Sequence, residues 1–221
     1  MKILYRKIAF FIIVHLVYYN LCFLLFMSEI FYIIIYQLLL ILYYSVTFLD
    51  TIIRPISEKK ERDSKYARLI GAIFLLNPFI LILAFYENKF VITRYFVIWD
   101  NLIVSYLGLL IFLFAGFITT MSRLQLGRFG GGLLVIEDDH KLITKGLYKH
   151  IRHPMYFGAL VGSFGMALVF RSVLVTILSV ICYFLIYRGR MDEEEHLLKT
   201  EFGEEYITYM MRTKRLIPYL Y

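Results

Sequence analysis

Two short stretches of this chain carry residues whose types and spacing could do chemistry. The first runs from His140 to Tyr156, HKLITKGLYKHIRHPMY, and gathers Lys141, Lys145, Lys149, His150, Arg152 and His153 ahead of Pro154. Proline pre-sets the backbone angle of a first helical residue and has no amide to donate, so a helix is predicted to begin at Pro154. Its first-turn amides would then lie beside Arg152 and His153, a positive corner suited to an anion. The second stretch follows one hydrophobic block later, where Arg188, Arg190 and the run Glu193, Glu194, Glu195 leave the last apolar segment. Arg190 precedes Glu194 by four residues, which on a helix puts both on one face.

The intervening residues fix where these groups must sit. Met155 to Phe170 and Ser172 to Tyr187 are apolar runs separated only by Arg171. If they fold as a hairpin, the carboxylates at the end of the second helix face the cationic start of the first. Near lipid such opposed groups are costly unless a polar ligand satisfies them, and a zwitterion with its own carboxylate and ammonium would serve both. Each run would span roughly 24 Å as a helix, short of a hydrocarbon core of about 30 Å. Gly158, Gly162 and Gly165 give the first of them a face that can approach a neighbour closely.

Composition sets the class. The 221 residues are 60% hydrophobic and 18% aromatic, with a mean hydropathy of +0.69, which describes a polytopic membrane protein rather than a soluble domain. The net charge of +7 does not call for nucleic acid, because the basic residues cluster beside apolar spans. Cys22 and Cys182 fall inside apolar runs and suggest no disulfide framework. Spans are predicted over 8–27, 30–49, 69–86 and 95–120, followed by the hairpin. His15, Asn20 and Gln37 within them are read as satisfied packing contacts. Asn77-Pro78 marks a kink in the third span, and Trp99, Asp100 and Asn101 form an interfacial collar before the fourth. The connector 50–68 has mixed charges at a density that argues for a solvated loop or surface helix. Gly127, Gly130, Gly131 and Gly132 loosen the loop 121–151, but no strand precedes them, so a dinucleotide-type glycine loop is excluded.

The chain is therefore expected to be all-α, with about six transmembrane helices. Residues 1–120 would form four spans, and 121–221 a core of glycine-rich loop, RHP motif, hairpin and a helix bearing the Glu-Glu pair. Of 24 Lys and Arg residues, all but Lys89, Arg94 and Arg171 fall in 1–7, 50–68, 119–154 and 188–221, and the positive-inside rule puts those segments in the cytoplasm. Both termini and the two chemical stretches then share one compartment. The stripe Leu198, Phe202, Tyr206 and Tyr209 reads as an amphipathic helix on the membrane surface.

With HKLITKGLY, RHPMYFG, about thirty apolar residues, RxxxEExxLxxxFGEEYxxY and a terminal RLIP in place, the chain resembles the isoprenylcysteine carboxyl methyltransferase family, within a group that includes phospholipid N-methyltransferases. The likeness covers roughly Leu126 onward. It implies an integral-membrane methyltransferase that uses S-adenosylmethionine without a Rossmann domain, in a C-terminal pocket facing the cytoplasm. Carried over by motif, cofactor contacts fall on His140, Lys141, Leu142 and Ile143, largely through backbone, then on Tyr148, His153, Pro154, Met155, Tyr156 and Glu194. The substrate-orienting catalytic arginine falls on Arg190. A further polar cofactor position of the family has no counterpart near Leu133.

Methyl transfer from a sulfonium is an in-line displacement, so the protein supplies chiefly orientation and a dry site. A carboxylate acceptor needs no base and could be held by Arg190. An amine acceptor would need one, with His150, His153 or Glu193 as candidates. The expected partners are a lipophilic or lipidated acceptor and membrane lipid, with no nucleic acid and no metal. Two alternatives stand beside carboxyl methylation: N-methylation of a phospholipid headgroup, and a non-catalytic or reductase-type protein on the same scaffold.

Overall fold

The structure, a computed structural model, describes residues 2–54, 64–92, 95, 100–129 and 140–218. Trp99, most of the charged connector, and Gly130 to Asp139 with Leu133 lie outside the described residues. The described chain is helical. Helices α1 (Lys2–Phe11) and α2 (Asn20–Phe26) are joined by a π-helical stretch, Ile12–Tyr19, and act as one rod. Then follow α3 (Ile34–Ile53), α4 (Lys65–Glu87), α5 (Leu102–Leu126), α6 (Pro154–Val169), α7 (Leu174–Phe202) and α8 (Glu204–Arg212). Among the described residues the only β pairing is an isolated parallel bridge between Ile151 and Lys214. Helices close their own backbone hydrogen bonds, which is what a chain this apolar needs in lipid.

Among the described residues, five helical segments are long and apolar enough to cross a membrane: Tyr5–Phe26, Ile34–Ile53, Lys65–Val91, Leu102–Phe129 and Leu174–Phe202. The remaining expected span, fifth in chain order, is the sixteen-residue α6, shorter than the other five. Helix ends depart from the hydropathy pattern because caps, not apolarity, set them. A 3₁₀ turn at Ser28–Phe31 and an extended Ile33 delay α3 by four residues. Asn101 starts α5 by accepting from the Ile103 amide at 2.9 Å, seven residues later than expected. Pro78 lies inside α4, whose helix runs on past it. His15, Asn20 and Gln37 are satisfied, by Tyr43 at 3.2 Å, by Tyr44 and the Leu16 carbonyl, and by the Phe31 carbonyl. Both cysteines are free.

The glycines of α6 meet α5. A Cβ on Gly165 would lie 2.7 Å from the Phe112 amide, and one on Gly108 would lie 2.7 Å from the Gly165 carbonyl oxygen, so the two backbones touch. Gly162 faces Ala115 across the same seam. This close packing holds the N-terminus of α6, and with it the RHP turn, at a fixed height.

Polar contacts collect at the two ends of the bundle. At one end Lys89 pairs with Glu29 at 2.6 Å, Arg171 pairs with Asp100 at 2.7 Å, and Glu87 caps α7 by accepting from the amides of Val173, Leu174 and Val175 at 2.9 to 3.1 Å. At the other end Asp50 joins Arg54 and the buried Arg123, and the hairpin presents its charged residues. Lys89 and Arg171, two of the three basic residues expected on the minority side, thus share an end away from Arg152 and Arg190.

Candidate functional site

Three segments build the charged end of the hairpin. The first is the RHP turn. Tyr148 is the buried residue of a 3₁₀ turn, Gly146–Lys149, and Pro154 is the first residue of α6, as its fixed backbone angle predicts. The second is α7, which runs unbroken for 29 residues, so the acidic run belongs to the last spanning helix and not to a separate tail. The third is the C-terminal segment. After Gly203, whose φ of +50° ends α7, α8 turns back and residues 213–215 lie along the RHP turn. The Arg152 amide donates to the Lys214 carbonyl at 2.9 Å and the His153 amide to Arg215 at 3.0 Å. Tyr209 donates to the Tyr148 carbonyl at 2.7 Å.

That docking corrects one expectation. Tyr206 and Tyr209 are buried against the protein, and the exposed apolar side chains of α8 are Ile207 and Met211. The stripe packs on the RHP turn because that turn offers apolar surface and unpaired backbone together, which a lipid surface does not.

The two adjacent glutamates divide their partners. Glu195 is buried and accepts from Arg152 Nε at 3.0 Å, His153 Nε2 at 3.1 Å and Arg215 Nε at 3.2 Å. Glu194 accepts from the Tyr156 hydroxyl and from Arg190 Nε at 3.3 Å, and its other oxygen lies 3.6 Å from His153 Nδ1. His153 is thus held between both carboxylates. Burial pulls its pKa down, but the hydrogen bonds and charges of Glu194 and Glu195 outweigh burial and hold the proton above the ordinary imidazole range. The opposed charges satisfy one another directly, where the sequence suggested that a bridging ligand would be needed.

Exposure separates the roles. The side chains of Arg190 and His153 are almost sealed, at 1% and 5% exposed, while Glu194 keeps 23% of its surface open. Glu194, like Glu193 at 28%, is thus a partly open carboxylate beside the sealed arginine. Of the residues singled out for the cofactor, His153, Tyr156 and Glu194 are in mutual contact. Pro154 and Met155 lie in the same turn, Pro154 buried and Met155 partly so. Tyr148 is buried, its ring reaching back to the Ser122 carbonyl at 3.4 Å. Lys141, Leu142 and Ile143 form non-helical backbone with Lys141 exposed. His140 is set apart. It packs on Phe129 and Phe202, the latter eight residues past Glu194, roughly 12 Å along the helix. His140 at Phe202 and His153 with Tyr156 at Glu194 thus meet α7 at two separate levels.

Sequence reasoning missed two parts of this site. Ser64, in a connector read as solvated, is buried and bonded to Arg190 at 3.0 Å and to Glu193 at 2.5 Å. Its signal was its place as an N-cap, since its hydroxyl accepts from the Ala67 amide at 3.0 Å. Arg215 was the other, hidden in a terminal motif with no charge partner close in sequence.

A phospholipid methyltransferase family model matches residues 103–205. The protein-S-isoprenylcysteine O-methyltransferase B of Arabidopsis thaliana is 29% identical over 119 residues, which is 53% of this chain and 60% of that protein. The Homo sapiens protein-S-isoprenylcysteine O-methyltransferase is 32% identical over 84 residues, 38% of this chain and 30% of that protein. The C-terminal half is similar to the isoprenylcysteine carboxyl methyltransferases. The fold agrees: a solved structure of the eukaryotic intramembrane Ras methyltransferase of this family superposes with a TM-score of 0.61 over 84% of this chain and 65% of that chain, at 19% identity. The chain spans about 60% of the length of the plant relative and less of the human one. The match lies mainly over α5 to α7, the elements that hold the RHP turn, Arg190 and Glu194.

Proposed function

We propose that this chain is an integral-membrane, S-adenosylmethionine-dependent methyltransferase that esterifies the carboxylate of a lipidated acceptor such as a prenylated cysteine. The observation that carries the reading is the pair Arg190 and Glu194, one turn apart on α7, a sealed guanidinium beside a carboxylate that keeps an open edge. A carboxylate there suits the ammonium or ribose hydroxyls of the cofactor, and an arginine nearer the membrane suits a carboxylate arriving from lipid. The relatives over this segment are named protein-S-isoprenylcysteine O-methyltransferases.

The donor set fits the cofactor. It pairs cationic and anionic groups, and the backbone at Lys141, Leu142 and Ile143 is outside any helix, so its amides and carbonyls can serve a ligand. His140, Tyr148, Pro154, Met155 and Tyr156 would complete the wall. When bound, S-adenosylmethionine supplies a methyl group on a positively charged sulfur. What the chain contributes is geometry: Glu194 anchors one side, Arg190 holds the acceptor carboxylate in a plane, and α5 to α7 keep water away.

Carboxyl methylation is favoured over N-methylation by His153. An amine must lose its proton before attack, and the candidate base His153 has both ring nitrogens turned to carboxylates, Nδ1 to Glu194 at 3.6 Å and Nε2 to Glu195 at 3.1 Å, rather than to an acceptor. The site and both ends of the chain are assigned to the cytoplasm by the charge distribution, and cysteine labelling that found position 140 on the outer face would contradict that assignment. The reaction itself is tested by transfer of radiolabelled methyl from S-adenosylmethionine on membranes carrying the protein. A base-labile product is expected. A base-stable product would indicate N-methylation, and none would leave a non-catalytic protein.

A further inference from the structure

Ser64 lies outside the segment matched by the family model, yet it reaches the centre of the site. A serine hydroxyl has one proton and two lone pairs. Here all three are used: the oxygen accepts from the Ala67 amide at 3.0 Å and from Arg190 Nη1 at 3.0 Å, and the proton goes to Glu193 Oε2 at 2.5 Å. A second contact brings the start of α4 to this point. The ring of Tyr66 lies against the bare backbone of Gly189, where any Cβ would overlap it. The neighbour of Gly189 is Arg190, so Tyr66 and Ser64 clasp consecutive residues of α7.

We infer that Ser64 is a positioning residue, which with Glu194 fixes the plane of the Arg190 guanidinium. This rests on the reading of Arg190 as the acceptor-holding group. A guanidinium is flat, and Glu194 at Nε and Ser64 at Nη1 fix two of its nitrogens, which with the side-chain stem define the plane. Two-point pairing with a carboxylate requires that plane to be set before the acceptor arrives. Charge alone would leave the fork free to rotate within its space. The N-terminal helices, on this account, enter the reaction through one hydroxyl.

The hydroxyl also caps α4, and the test must separate the two roles. Glycine is nearly as good an N-cap as serine, whereas alanine is not. Ser64→Gly should therefore keep thermal stability near that of the parent while losing the contact with Arg190, and Ser64→Thr should retain both. Turnover of an N-acetylated S-farnesyl cysteine is expected to fall at least fivefold in Ser64→Gly with S-adenosylmethionine affinity within twofold of the parent, and to recover in Ser64→Thr. Full turnover in Ser64→Gly would reduce Ser64 to a helix cap and overturn the inference. A readout that needs no acceptor is the nitrogen-15 NMR signal of the Arg190 guanidinium, whose rotation should quicken in Ser64→Gly. If the parent protein methylates no carboxylate, the reading of Arg190 fails while the NMR comparison still decides the positioning role. An unchanged signal would sink that role alone.

Discussion

Arg190 Nε lies 3.3 Å from Glu194 Oε1, so the group assigned to the acceptor and the group assigned to the cofactor touch. On the proposed reading, one turn of α7 sets the two halves of the transfer side by side. The relationship is set by helix geometry and held by burial of the arginine.

Glu194 is the first residue to test. If its open carboxylate edge takes the cofactor, Glu194→Gln should weaken S-adenosylmethionine binding by about 1.5–3 kcal/mol, the worth of one charge-assisted contact. Glu205, exposed on α8, is the matched control, and Glu205→Gln should leave affinity unchanged. Calorimetry on the purified protein decides it, and equal affinities for the two variants would remove Glu194 from the cofactor site.

Arg190 should behave differently. An interfacial anchor needs only positive charge, whereas a planar fork does not survive replacement by an ammonium. Arg190→Lys is expected to keep cofactor affinity and to lower methyl transfer at least tenfold, roughly 1.4 kcal/mol in the barrier. Undiminished turnover would make Arg190 an anchor.

The His153 network gives a pH dependence with a definite sign. Glu194 and Glu195 from α7 face the ring, with Tyr156 from α6 and with Arg152 and Arg215 beside them on Glu195. Because the folded state raises the His153 pKa, its stabilisation is complete below the ordinary imidazole value of about 6.5. That stabilisation is lost as pH climbs through the raised folded value. Thermal unfolding in detergent should show the parent losing stability as pH rises above neutrality, while His153→Asn stays flat. A parent protein that gains stability over that interval would contradict the arrangement.

The α5–α6 seam predicts a contrast between glycines. Gly165→Ala forces a methyl group onto the Phe112 amide and should cost about 1–3 kcal/mol through overpacking. Gly71, in α4, has open space where a Cβ would go, so Gly71→Ala should be neutral or slightly stabilising through helix propensity. Unfolding measurements on both variants check the seam, and equal effects would refute it.

Much of this was legible in the sequence because it is local or periodic. Pro154 opening a helix, the four-residue step from Arg190 to Glu194, and the small-residue face of α6 each follow from backbone rules that need no knowledge of the neighbours. The partners across the fold were not legible in that way. Nothing in the spacing tells that Ser64 reaches Arg190, or that Arg215 joins Arg152 and His153 on Glu195, since those contacts depend on how separate helices pack. The stripe of α8 showed the same limit from another side. Its periodicity announced a buried face, and tertiary packing decided that the face covers the RHP turn.

The central claim is that a carboxylate from the lipid phase receives the methyl group, and the most direct measurement compares two acceptors that differ only there. Purified protein in lipid nanodiscs would be given radiolabelled S-adenosylmethionine with N-acetylated S-farnesyl cysteine, or with its C-terminal carboxamide. Methyl incorporation into the carboxylate compound, released by mild base, and none into the carboxamide is the predicted result. Label entering the lipid headgroups of the nanodisc, with the farnesyl cysteine carboxylate untouched, would contradict it.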